Sequence, residues 1–229
     1  MSSGRALTGT AWAVLLLGLW AWGRDAAEGP AYGSGPTTGD IAAVGRPPGV
    51  PLPPAHAPLD PAEPRRVEVP SVGISAPVVA RGLDGDGAIE PPPFETPQTV
   101  GWYGSGTRPG APGAALLVGH VDTETRPAVF YGLSAARPGA TVAVTRSDGS
   151  VAEFTIDDVR VLPRDGFDAR AAYGPHRAGR SELRLITCGG SFDRAAGAYT
   201  ANVVVSAYLT GAKESATESR TQSRTQSRE

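Results

Sequence analysis

One cysteine and three histidines occur among the 229 residues. Two of these four side chains close apolar runs. Cys188 ends ELRLITC (182–188) and is followed by Gly189-Gly190; His120 stands near the end of AALLVGHV (114–121). A thiolate is a soft nucleophile, and an imidazole can take up and return a proton near neutral pH, so the two together suit acyl transfer through a thioester. A strand end is a good place for such groups, because the backbone is held while the loops beyond it vary. Spacing alone leaves a second reading open: an inert strand cysteine, and a histidine that only satisfies a strand end.

The rest of the chain bounds what can position the pair. Net charge is −2, so no overall basic field points to nucleic acid as a partner. One cysteine forbids an internal disulfide framework, and the few Cys and His argue against a structural zinc. Asp157, Asp158, Asp165 and Asp168 lack the regular spacing of a calcium loop, so no metal is expected, and no cofactor either. Gly and Pro exceed a fifth of the residues, which assigns part of the chain to linker or loop.

Four segments follow. Residues 1–23 carry Arg5 and then an apolar stretch, AWAVLLLGLWAW, suited to a single-pass membrane anchor with the remainder outside the cell. Cleavage after a small-residue site and secretion is the alternative. Residues 24–64 read as a Pro/Gly/Ala-rich spacer that holds a domain off a surface, with His56 as a solvated linker residue. Residues 212–229 read as a polar, disordered tail.

Between them, residues 65–211 read as an all-β domain. RRVEVPSVGISAPVVA alternates polar and apolar residues and is broken by Pro70 and Pro77 into two short strands. TVAVTRSDGSVAEFTIDDVRVL (141–162) reads as strand, Asp148-Gly149 turn, strand. ELRLITC and NVVVSAYL (202–209) give two more strands, and TRPAVFYGL (125–133) a short helix. Seven or eight short strands and no long helical period predict a closed barrel.

TVGWYGSGTRPGAPGAALLVGHVDT (99–123), with LRLITCGGSFDRAAGAYTANVVVSA (183–207), resembles a class F sortase. The markers are a strand ending in G-H-V-D, another ending in T-C-G-G-x-F-D, and a final N-V-V-V-x-A strand. GLDGDGAIEPP (82–92) fits as well. The resemblance implies an eight-stranded sortase-type barrel with short helices, tethered outside the membrane. It implies a monomeric cysteine transpeptidase that cuts an LPXTG-like signal of secreted proteins between Thr and Gly. The thioester on Cys188 would then pass to a peptidoglycan-precursor amine, with His120 as acid and then base. It also implies an arginine after the cysteine that holds the substrate. Here the chain departs from the pattern, reading Tyr199-Thr200-Ala201-Asn202 where relatives read Y-R-D-N. Arg194 is the nearest guanidinium downstream and is assigned that catalytic role. Arg184, four residues before Cys188 and on the same side of the strand, Asn202 as a neutral donor, and Thr187 are the other substrate-binding candidates. Two alternatives stand beside this reading. One is a weak or silent sortase-like wall-binding domain; the other is an L,D-transpeptidase-like enzyme.

Overall fold

The computed structural model describes residues 51–85, 87–165 and 168–214. The membrane segment expected over 1–23, the spacer up to residue 50 and the tail from 215 lie outside the described residues. Among the described residues no helix is long and apolar enough to cross a membrane.

Eight strands close into a barrel. They are β1 (Pro64–Val69), β2 (Ile74–Arg81), β3 (Val100–Tyr103), β4 (Gly113–Val118), β5 (Thr141–Arg146), β6 (Ser150–Pro163), β7 (Ser181–Asp193) and β8 (Ala198–Glu214). Their order around the barrel is β1-β2-β3-β4-β7-β8-β6-β5, and β5 pairs back onto β1. The β2–β3 and β4–β7 pairs are parallel. Closure leaves no open sheet edge.

Alternation within each strand sets two faces. Val67 and Val69 of β1, Leu117 of β4, Phe154 and Ile156 of β6, and Leu183 and Leu185 of β7 are fully buried in the interior core. Each such side chain contributes about 1.5–3 kcal/mol by leaving water. Strand β7 is buried on its other face too, where Val118, Ile186 and Val204 form a second apolar cluster beneath Ile89, Leu162 and Tyr173. Tyr173 ends a five-residue helix α1 (Ala169–Tyr173) in the β6–β7 connection. That connection therefore roofs the outer face of β4, β7 and β8.

Three local expectations are corrected and one strand is added. Over 125–133 no helix forms; the backbone of this stretch bonds outward instead, Ala128 N to Val121 O (3.0 Å) and Val129 N to Pro97 O (2.9 Å), and one 3₁₀ turn follows at Leu133–Ala135. β3 is a further strand, four residues long, which carries the buried Trp102 into the core. β8 runs on to Glu214, past the expected start of the tail, because it stays paired with β6 as far as Ser150↔Glu214. Finally, residues 51–63 are not held off the domain. Tyr208 Oη donates to Pro53 O (2.5 Å), His56 N to Leu209 O (2.9 Å), Leu59 N to Gly110 O (2.8 Å) and Ser147 N to Glu63 O (2.8 Å). Their side chains are mostly exposed, so backbone hydrogen bonds rather than apolar burial lay this strap along the barrel.

Candidate active site

The parallel β4–β7 ladder runs to Val118↔Ile186, and Gly119 N continues it by donating to Ile186 O (3.1 Å). His120 and Cys188 each lie two residues beyond that last pair, at the same end of neighbouring strands, which stand ~4.8 Å apart where they pair. Both continue the face of Val118 and Ile186, which is the outer face. Glycine is required at 119: a Cβ there would lie 2.7 Å from Phe130 and Val129 side-chain atoms. The returning chain presses that close because Phe130 N donates to His120 O (3.0 Å).

The imidazole is held from two sides. Its ring stacks on Phe94, centroids 4.1 Å apart and 20° from parallel, and Nε2 lies 2.7 Å from Pro92 O. A carbonyl can only accept, so Nε2 carries a proton and Nδ1 is the nitrogen left to exchange one. Phe94 also lines a cavity of about 460 Å³, together with Thr123, Glu124, Thr125 and Arg126.

Cys188 is exposed on β7 but does not end it as expected: the strand stays paired with β8 through a bulge after Gly189 and runs on to Asp193. The two glycines that follow do something other than clear space for substrate. A Cβ on Gly189 would sit 2.6 Å from Val203 Cγ2; Gly190, at φ +75°, would place one 2.6 Å from Thr200 Oγ1. They let β7 and β8 approach and bend. Although the residue is exposed, the walls around the thiol withdraw water: burial pushes it above its ordinary value, Arg164 pulls it down and Asp122 pushes it up. The thiolate is therefore the minor form near neutrality.

Asn202 is the cross-strand partner of Cys188 on the same face, and half-buried there. Tyr199 Oη donates to Asp122 Oδ2, joining β8 to the loop after His120. Burial and that bond push the Tyr199 phenol up to about 12.

Three expected residues are not brought to the thiol. Thr187 alternates to the inner face opposite Val203 and is buried, so its side chain does not line the groove. Arg194 lies at the β7–β8 hairpin tip, exposed, after six residues that span up to ~20 Å of extended chain. It is outside the strand because β7 continues past Cys188 to Asp193. Arg184 does share the face of Cys188 but is fully buried beneath the β6–β7 connection. Its Nη2 holds Glu182 Oε2 at 2.6 Å and Gly174 O at 2.8 Å. Glu182 also accepts from Arg180 Nε (2.9 Å) and from the backbone of His176 (2.9 Å) and Arg177 (3.0 Å). Burial opposes that carboxylate's charge, but these donors outweigh it and hold the group below its ordinary range. Arg184 thus bolts the groove wall, and its fork has no room for substrate.

Two groups beside the thiol escaped attention at the level of sequence. Arg164, just past β6, acts on Cys188 from across β8. Tyr173 of α1 feels the thiolate from the roof. Among the described residues no three His, Cys, Asp or Glu side chains converge as metal ligands do.

A thiol and an imidazole carried at the same end of neighbouring strands, on the outside of a closed barrel, suit cysteine acyl transfer. The sortase-domain family model matches residues 67–210, more than half of the chain, and the chain belongs to the sortase family of cysteine transpeptidases. No curated protein sequence matches it. Among solved structures it is similar to sortase A of Listeria monocytogenes, at 15% identity and TM-score 0.50, over 69% of this chain and 94% of that one. It is also similar to the SrtA sortase of Actinomyces oris, at 14% identity and TM-score 0.49, over 75% and 91%. At such identities the likeness is one of fold.

Proposed function

We propose that this chain is a class F sortase, tethered to the membrane by residues 1–23 with its barrel outside the cell. It cleaves an LPXTG-like sorting signal between Thr and Gly and passes the acyl group to a cell-wall amine. The observation that supports the reading is the parallel β4–β7 register, whose last pair, Val118↔Ile186, lies two residues before His120 on one strand and Cys188, the one thiol of the chain, on the other.

The chemistry follows from the atoms present. Cys188 Sγ, as thiolate, attacks the Thr carbonyl carbon, and the carbonyl π pair moves to oxygen. When the C=O re-forms, the C–N bond breaks and the leaving amine takes a proton from His120 Nδ1. The incoming amine then attacks the thioester, gives its proton back to Nδ1, and Sγ leaves as thiolate. Nε2 keeps its bond to Pro92 O throughout, which fixes the ring plane while Nδ1 cycles.

The test is incubation of the full-length chain with an LPXTG-type peptide and an amine acceptor, with products read by mass spectrometry. Wild type gives the Thr–amine product, and hydroxylamine intercepts the acyl-enzyme as a hydroxamate. Cys188→Ala and His120→Ala give neither. Cleavage that survives Cys188→Ala, or a wild type inert toward such peptides, refutes the reading.

A further inference from the structure

Attack on a carbonyl puts a full negative charge on oxygen, and a fixed cation or N–H donor there is worth much of the rate. Neither residue the sequence offered for this can serve, since Arg194 is at the hairpin tip and Arg184 is sealed against Glu182. β8 itself carries no Arg from Ala198 to Glu214.

The topology supplies one from another strand. β6 and β8 are antiparallel, with Leu162↔Asn202 and Pro163↔Ala201, and Arg164 N extends the ladder by donating to Thr200 O (3.0 Å). On the far side of β8, Asn202 pairs with Cys188. Leu162, Asn202 and Cys188 thus form one row across three strands. Leu162 belongs to the outer apolar cluster, so Arg164, two residues on, continues the outer face beside Thr200. Its Cα is about two strand spacings, roughly 10 Å, from the cysteine's strand, within reach of an extended arginine. The guanidinium has one long hydrogen bond, Nη1 to Tyr199 O (3.5 Å), and no carboxylate partner among the described residues. It is the cation that acts on Cys188. The other ionisable groups that act on the thiol are Asp122, Tyr173 and Tyr199.

The geometry points to Arg164, reaching from the end of β6 over Tyr199-Thr200, as the cation that binds the substrate carbonyl oxygen while Cys188 attacks. It rests on the acyl-transfer reading given above. Thr200, its cross-strand neighbour, is where this chain lacks the guanidinium, so the charge has moved by one strand.

Two measurements on the full-length chain test this. In the first, peptide turnover is compared among variants. Arg164→Ala lowers kcat by ~100-fold with KM little changed, as loss of an oxyanion donor does, and leaves the melting temperature in place. Arg164→Lys falls between. Arg194→Ala changes kcat less than about threefold, as an exposed charge does. Arg164→Ala/Thr200→Arg, which returns a guanidinium from β8, recovers at least about tenfold; a merely structural role for Arg164 gives no such recovery. The second measurement needs no substrate. The pH inflection of Cys188 alkylation by iodoacetamide moves to higher pH in Arg164→Ala, because the guanidinium that favours the thiolate is gone. A peptide that wild type leaves intact defeats the transpeptidase reading, whereas an unmoved alkylation inflection defeats Arg164 alone. Arg164→Ala turnover within about threefold of wild type, a loss confined to KM or to melting temperature, a loss carried by Arg194→Ala instead, or failure of Thr200→Arg to rescue each overturn the proposal.

Discussion

Replacing Glu182 by Gln keeps the shape of the groove-wall bolt and removes its charge. In the native barrel this fully buried carboxylate holds Arg184 at 2.6 Å and Arg180 at 2.9 Å, with two backbone donors. Breaking a buried pair from one side leaves the other charge uncompensated, at a cost of about 3–5 kcal/mol. For a domain of this size each kcal/mol moves the melting temperature by ~2–4 °C, so the variant should melt roughly 6–20 °C lower. The effect depends on pH, and its sign is set by the lowered pKa of Glu182. Its stabilisation is complete above the ordinary carboxylate value of 4.5 and is lost as pH falls through the folded value. The gap between wild type and Glu182→Gln is thus full at pH 7 and narrows below 4.5. Glu182→Leu/Arg184→Met, which removes both charges, recovers most of the loss. Melting followed by circular dichroism at pH 7, 5 and 3 measures all of this. A gap under about 2 °C at pH 7, or one that does not narrow toward pH 3, refutes the bolt.

Phe94→Ala removes the ring stacked on His120; a contact of this kind is worth about 0.5–1.5 kcal/mol, so kcat/KM in the peptide assay should fall ~2–10-fold while Phe94→Trp retains most of it. Asp122→Asn removes the negative charge that pushes the thiol up, so the alkylation inflection of Cys188 should move to lower pH, opposite in sign to Arg164→Ala. Gly190→Ala forces a side chain into φ +75° and into Thr200, costing ~1–3 kcal/mol in urea melts and displacing the strand opposite the cysteine; a variant with wild-type stability and turnover would remove the steric role given to that glycine.

The barrel was readable where local pattern and burial agree. The alternation in β1 and β2, the Asp148-Gly149 turn and the apolar runs of β4, β7 and β8 each mark their strand. β3 escaped because it is four residues long with Gly101 at its centre, and it exists only through pairing on both sides. The helix expected over 125–133 fails because those backbone groups find partners at Pro97 and Val121, which no local pattern reveals. For the site, the types and spacing of Cys188 and His120 were legible, but the cysteine lies within β7 rather than at its end, because pairing with β8 carries the strand on to Asp193. The side of the strand chosen for Arg184 was also right, but its burial was not foreseen. Glu182, two residues away on the same face, was the available signal that the arginine was already engaged. Arg164 could not be found by counting from the cysteine, because a register between β6 and β8 delivers it from the preceding connection.

The strap over 51–63 and the groove wall share one aromatic ring. Tyr208 donates its hydroxyl to Pro53 O and carries the Arg180 guanidinium 4.6 Å above its face, and Arg180 in turn grips Asp157 and Glu182. A load that peels the incoming chain away from the barrel is thus borne first by the residue that seats the wall's ionic clasp. Tension on the strap and looseness around the thiol are mechanically joined, and a fragment trimmed to begin at β1 would cut that connection.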